Sequence, residues 1–147
     1  MTLFRLIAGA TLMLAATASQ ALDFKSVGAA PAILYDAPST KGGKLFVAPR
    51  GMPLEVVLSY GDWVKVRDLS GDLAWTEAKA LSAKRNVIVR VANAKIRAAA
   101  DDAAAPVFSA DKGVLLELTE IGSAGWIKVR HRDGLVGYVK SSDIWGI

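Results

Sequence analysis

Cysteine is absent from the 147-residue chain, and histidine occurs once, as His131. Without thiols there is no disulfide framework, no thiol nucleophile, no cysteine-rich zinc site and no lipid anchored through cysteine. An excess of charge is missing too: 18 basic and 14 acidic side chains leave +4. Residues 22–86 carry 9 basic and 7 acidic groups, and residues 87–147 carry 8 and 7. Neither half is a basic arm or an acidic tail, so attraction to polyanions is weak and nucleic acid is not an expected partner. What is present in quantity is apolar: 52% of residues are hydrophobic against 22% charged, the balance of a globular chain.

The long apolar run stands at the N-terminus. Arg5 precedes Leu6 to Ala18, and Ser19-Gln20-Ala21 puts small residues at the −3 and −1 positions of a cut before Leu22. A basic start, a short apolar run and small residues at the cut make a signal peptide over residues 1–21. A retained membrane helix needs about 20 apolar residues, more than this run supplies. Because no cysteine follows it, a bacterial lipoprotein is excluded. Export with cleavage places the mature chain in the periplasm, without a membrane span. Removing 21 of the 147 residues leaves 126 and, with Arg5 gone, a charge of +3.

The mature chain repeats itself. Trp63-Val64-Lys65-Val66-Arg67 returns as Trp126-Ile127-Lys128-Val129-Arg130, and in the same register Gly71 falls on Gly134, Trp75 on Tyr138 and Leu81 on Ile144. Upstream the offset shortens by one residue: Leu54-Glu55-Val56 aligns with Leu116-Glu117-Leu118, Gly51 with Gly113, and Val27 with Val89. The slip lies between Tyr60-Gly61-Asp62 and Gly122-Ser123-Ala124-Gly125, a turn where one extra residue costs little. Two modules follow, residues 22–84 and 85–147.

Within each module the pattern is strand and turn. Trp63–Asp68 and Trp126–His131 alternate with period two, as half-buried strands do. Ser70-Gly71-Asp72 and Arg132-Asp133-Gly134 are tight-turn sequences. Glu77–Leu81 and Ser141–Ile144 are long enough for one helical turn. Ala98–Ala105 has helix-forming composition, but its counterpart Ala37–Gly43 holds Pro38, Gly42 and Gly43, so both are read as loops. The expected fold is all-β, two tandem small five-stranded barrels.

This pattern resembles the bacterial SH3-like (SH3b) family, whose modules run from a Leu-Asn-Val-Arg segment through a proline-containing loop to Gly-Trp-x-x-Val and Gly-x-x-Gly-Tyr/Trp-Val strands. The second module is similar through Lys95-Ile96-Arg97, Gly125-Trp126-Ile127-Lys128-Val129 and Gly134-Leu135-Val136-Gly137-Tyr138-Val139. The first is similar through Asp62-Trp63-Val64-Lys65-Val66 and Gly71-Asp72-Leu73-Ala74-Trp75-Thr76. It departs at Leu34-Tyr35, without the arginine, and at Ala74, where glycine is usual. The resemblance implies a binding module of the envelope, with peptidoglycan as one ligand class. SH3b modules often accompany cysteine-histidine wall peptidases, and this chain lacks the cysteine. Ala32-Ile33-Leu34-Tyr35-Asp36 also looks like the Ala-Leu-Tyr-Asp-Tyr segment of polyproline-binding SH3 domains. The other groove positions hold Ala37, Glu77 and Ala80, and in the second module Arg97, Ala99, Lys140 and Asp143, so the slots for proline are lost.

Catalysis finds no footing. His131 sits between arginines in a turn, where it is expected to be solvated. Asp101-Asp102 lies in an alanine-rich loop that does not hold two carboxylates convergent. No metal-ligand spacing occurs, Gly42-Gly43-Lys44 is not a phosphate loop, and no cofactor is expected. Binding is better supported. Strand parity puts Trp63, Lys65 and Arg67 on one face and Val64 and Val66 on the other; Trp126, Lys128 and Arg130 repeat this opposite Ile127 and Val129. With Tyr138 and its counterpart Trp75 on the next strand, each outer face offers aromatic rings beside cations, suited to a sugar face or a carboxylated peptide. The expected ligand-binding set is therefore Trp63, Lys65, Trp75, Trp126, Lys128, Arg130 and Tyr138. The partner is peptidoglycan or an envelope protein, and the chain is expected to be a monomer. Two readings stay open: a binding or adaptor protein, or a structural protein whose tandem barrels form an obligate interface. Exposed tryptophans favour the first, tryptophans buried under the loop or between modules the second.

Overall fold

The computed structural model describes residues 22–147, and the signal-peptide assignment over residues 1–21 lies outside them. The chain is built from two all-β modules in tandem. The first comprises β1 (Phe24–Val27), β2 (Ala32–Tyr35), β3 (Lys44–Ala48), β4 (Pro53–Tyr60), β5 (Trp63–Arg67), β6 (Leu73–Glu77), a 3-10 turn (Ala78–Ala80) and β7 (Leu81–Ser82). The second repeats the order as β8 (Asn86–Val89), β9 (Ala94–Arg97), β10 (Pro106–Ala110), β11 (Leu115–Ile121), β12 (Trp126–Arg130), β13 (Val136–Lys140), a 3-10 turn (Ser141–Asp143) and β14 (Ile144–Trp145). The strand orders are β3-β2-β6-β5-β4-β1-β7 and β10-β9-β13-β12-β11-β8-β14, so the modules share one topology. Each sheet has seven strands because the long loop is the tip of a hairpin of its own, and because a short strand follows the helical turn. Residues 98–105 are loop, as their counterpart implied.

Period-two alternation sets the core. Val64 and Val66 point inward, where Leu54, Leu34 and Val27 meet them, with Val56 packed at the edge. Ile127 and Val129 do the same against Leu116, Ile96 and Val89, with Leu118 at the edge. Each module thus has its own apolar cluster, and each fully buried valine or leucine contributes roughly 1.5–3 kcal/mol. A bulge between Val56 and Leu58, matched by one between Leu118 and Glu120, ends the alternation in β4 and β11. Beyond it the strands face solvent, and Leu58 and Tyr60 are exposed.

One departure from the family pattern has a steric cause. A Cβ on Gly137 would lie 2.5 Å from Ile96 Cγ2 and 2.8 Å from the Arg97 carbonyl oxygen, so the second module needs glycine there. The first has Leu34 in place of Ile96 and buries Ala74 at the matching position. Leu34 lacks the β-branch methyl that Ile96 sets against position 137, which leaves room on that side for the Ala74 methyl group.

The modules also touch. The Asn86 side chain donates to the Gly51 carbonyl (2.9 Å), and its backbone N–H donates to the buried Ser26 hydroxyl (3.2 Å). Phe24 meets Trp145 edge to face with ring centres 5.0 Å apart, and the Arg85 guanidinium lies 5.6 Å from the Phe24 ring centre. Arg85 also donates to the Gly146 carbonyl at 2.8 Å. Gly146 has φ +124°, and a Cβ there would be 2.9 Å from the Asn86 carbonyl oxygen and 3.2 Å from Pro53 Cβ. Two aromatic rings, a shared guanidinium and two hydrogen bonds therefore fix β1 and β4 against the start and end of the second module.

Candidate functional site

The first module has a groove of about 470 Å³ between the loop after β2 and the ends of β5 and β6. Pro38, Ser39 and Thr40 form the loop wall; Asp62, Trp63, Glu77 and Lys79 form the other. The loop is held from within. The Asp36 carboxylate accepts the Gly43 N–H at 2.7 Å, and the Asp36 N–H donates to the Gly43 carbonyl at 2.9 Å. Glycine serves at position 43 because a Cβ would fall 2.7 Å from that carboxylate. Trp63 stands edge to face with Tyr35, ring centres 5.5 Å apart, which fixes the indole while leaving it half-buried at the groove. Glu77 pairs across the strands with Trp63, and its carboxylate meets Lys79 at 3.1 Å. The groove therefore offers an indole face, two carboxylates and one ammonium.

The same place in the second module is covered. Lys140 replaces Glu77 and Asp102 replaces Thr40. Lys140 bridges to Asp102 at 2.6 Å, and its ammonium lies 5.9 Å from the Trp126 ring centre. Arg97, which replaces Tyr35, donates to the Ala104 carbonyl at 2.9 Å and ties the loop down from below. Trp126 is left 9% exposed. Of the two equivalent indoles at the loop, both expected to serve a ligand, Trp63 is available and Trp126 is covered.

The expected cations have partners. Arg130 donates to Glu117 at 2.8 Å, and Lys84 approaches the same carboxylate at 3.7 Å. The Arg130 hydrogen bond holds the Glu117 carboxyl below its ordinary value; burial opposes it, and the charges of Lys84 and Arg130 add to the lowering. Arg67 is likewise tied to Glu55 at 2.9 Å. Lys65 lies 5.9 Å from the Trp75 ring centre, and Lys128 the same distance from Tyr138. Trp75 also meets Tyr60 edge to face at 6.5 Å. Parity thus brings Trp63, Lys65 and Trp75 onto one outer face, and Lys128, Arg130 and Tyr138 onto the other. The acids of the groove, Asp62 and Glu77, are not in the expected ligand-binding set, and Glu77 is read from the sequence only as a lost slot for proline. Their signal was their place at one end of the strand pair that carries Trp63, where β5 begins and β6 ends.

His131 is not the solvated turn residue expected. Its side chain is 24% exposed, its Nδ1 lies 3.0 Å from Asp133, and its ring centre is 5.7 Å from that of Phe108. The Leu135 N–H donates to Asp133, and this bond, with the His131 contact behind it, keeps that carboxyl below its ordinary value. His131 closes one end of the second module. Among the described residues no group of three or more acidic or histidine side chains is placed to hold a metal ion, and no helix is long and apolar enough to cross a membrane.

A family model described as bacterial SH3 domain matches residues 28–83 and again residues 86–146. No curated protein sequence matches the chain. Among solved structures, the chain is similar to NlpC2 and NlpC1 from Trichomonas vaginalis, each at 11% identity and a TM-score of 0.40. The likeness covers 87% and 88% of this chain but 49% and 48% of theirs, so the chain spans about half the length of those structures.

Proposed function

Since the chain belongs to the bacterial SH3 domain family, whose modules bind rather than catalyse, we propose that it is an exported, non-enzymatic binding protein of the cell envelope. Its ligand is a peptidoglycan peptide held in the groove of the first module. The observation that carries this reading is the open groove beside Trp63, where an indole face is flanked by Asp62, Glu77 and Lys79. A wall peptide bears both amines and carboxylates, and a groove with both signs of charge beside an aromatic platform suits such a chain. The second module, with Trp126 covered, serves as a support in this reading. The packed junction between modules favours that role, since it holds the second module as a fixed body behind the first.

The test is retention of the mature chain, as a monomer, on purified cell-wall sacculi. Trp63→Ala is expected to weaken retention by about 2 kcal/mol or more, as loss of an aromatic anchor does. Trp126→Ala is expected to change retention little, provided circular dichroism shows both variants folded. Retention of folded Trp63→Ala equal to wild type removes the groove as the site. No retention of the wild type removes peptidoglycan as the ligand and leaves an envelope protein in its place.

A further inference from the structure

A second hollow lies at another end of the first module and shares no lining residue with the Trp63 groove. Its volume is about 620 Å³. Leu34, Leu45, Phe46, Met52 and Leu73 line it, and Ile88 of the second module completes the wall. Leu45, Phe46 and Leu73 are 58%, 50% and 44% exposed. At the rim stand Asp68 and Asp72. Among the described residues neither carboxylate takes part in an ion pair. Asp68 accepts the Asp72 N–H at 3.0 Å, which fixes the turn and aims the acidic rim.

The repeat indicates what belongs there. In the second module Phe108 takes the place of Phe46, and it packs on the core with the His131 ring 5.7 Å away. His131 occupies the position of Asp68, and its Nδ1 lies 3.0 Å from the Asp133 carboxylate. The second module therefore fills this end with its own ring, a ring able to carry positive charge and paired with a carboxylate. In the first module the ring is missing, the phenylalanine is half-exposed, and carboxylates remain at the rim without a cation.

We propose that the hollow is a docking site for a partner peptide that inserts an aromatic or large apolar side chain against Phe46 and sets an adjacent basic residue against Asp68 and Asp72. The apolar part supplies the driving force, and the acidic rim selects the charge. Because Ile88 closes the wall, the site is complete only while the junction between modules is intact. An ordered junction is what the Asn86–Gly51 and Phe24–Trp145 contacts provide.

The experiment titrates acetyl-Phe-Arg-amide into the chain spanning residues 22–147 and follows backbone amide resonances. Saturable shifts are expected at Phe46, Leu73 and Ile88. Acetyl-Phe-Glu-amide is expected to bind more weakly by up to roughly fivefold, as one exposed charge contact is worth up to about 1 kcal/mol. Acetyl-Ala-Arg-amide is expected to produce no saturable shifts at Phe46. Phe46→Ala removes the apolar wall and should abolish the shifts at Ile88. Asp68→His supplies the second module's own ring and should block the hollow from within. Asp72→Asn, at a residue whose side chain bonds nothing else among the described residues, should weaken the Phe-Arg peptide and, by relieving repulsion, strengthen the Phe-Glu peptide, so that the two affinities converge. Absence of saturable shifts at Phe46 and Ile88 overturns the proposal, as does equal binding of the Phe-Arg and Phe-Glu peptides. Self-association that Phe46→Ala abolishes, seen by sedimentation, overturns it in favour of a second copy of the chain.

Discussion

The two modules have one topology and matching cores, yet they differ wherever a ligand would meet them. In the first, the loop over Trp63 carries Thr40 and faces Glu77; in the second, the loop over Trp126 carries Asp102 and faces Lys140, and the two side chains close on each other at 2.6 Å. At the other end, Asp68 leaves Phe46 uncovered, whereas His131 packs on Phe108. A few positions on a shared frame, Thr40/Asp102, Glu77/Lys140, Tyr35/Arg97 and Asp68/His131, thus set whether a module is open or shut at each end. The frame depends on period-two burial, which tolerates little change, while the rims depend on side chains free to vary. One fold copied within one chain can therefore provide a binding module and a closed support.

The largest effect expected is on the frame itself. Val129 and Val66 are 0% and 1% exposed. Val129→Asp would bury a charge with no partner, and the cost, more than about 4 kcal/mol, exceeds what a module of this size has to spare. Loss of the second module's amide dispersion in NMR spectra is expected for Val129→Asp, and loss of the first module's for Val66→Asp. If either variant unfolds both modules, the junction carries more of the stability than the remaining core does.

Phe24→Ala addresses the junction directly. Phe24 is 5% exposed and contacts both Trp145 and Arg85. Removing a buried ring costs about 3–5 kcal/mol. Calorimetry of the wild type is expected to show one transition, and Phe24→Ala two, because the modules then melt without each other. Two transitions already in the wild type mean that the modules are not coupled.

Much of this frame is legible in the sequence, because it is local. The alternation in Trp63–Arg67 assigns Val64 and Val66 to the core without knowledge of any distant residue, and the repeat carries the same assignment to Ile127 and Val129. The ion pairs of Arg67 and Arg130 were also within reach, since an antiparallel hairpin of known register sets Glu55 opposite Arg67 and Glu117 opposite Arg130. Treating Arg130 as free for a ligand overlooked its cross-strand neighbour. The open or closed state of each rim was not legible. It rests on contacts between segments far apart in the chain, Lys140 with Asp102 and His131 with Phe108, and on whether a loop lies down over an indole. Composition says nothing of that, and equivalent tryptophans in a repeat look equivalent until the loops above them are placed.

A smaller difference between the modules is expected in acid. Glu117 takes a hydrogen bond from Arg130 and a second charge contact from Lys84, and its carboxyl is held below the ordinary value of 4.5. A carboxyl more acidic in the folded chain than in the unfolded one adds stability above the unfolded value and loses it as pH falls through the folded one. The second module should therefore lose stability as the pH drops below about 4.5, by less than about 1 kcal/mol from this group, since the pair is partly solvated. Glu117→Gln should flatten that part of the profile in urea titrations at successive pH values. An unchanged slope means the Arg130 and Lys84 contacts contribute nothing measurable.

The least costly change is expected to reveal most about the rims. Asp102→Asn removes the partner of Lys140 at a bridge whose side chains are 46% and 71% exposed. An exposed pair of this kind is worth about 0.5 kcal/mol or less, so the melting temperature should hardly move. The covering of Trp126 is another matter, because Lys140 lies over the indole only while something holds it there. With 5-fluorotryptophan incorporated, four fluorine resonances report on Trp63, Trp75, Trp126 and Trp145. In the wild type the Trp126 resonance should show a small solvent isotope shift and that of Trp63 a larger one. In Asp102→Asn the Trp126 shift should grow towards that of Trp63 while the other three stay put. If it does not, the bridge is a bystander and the loop is held by Arg97, whose bond to the Ala104 carbonyl is the second tie. Arg97→Tyr, which restores the first module's residue, then becomes the substitution that opens the second module.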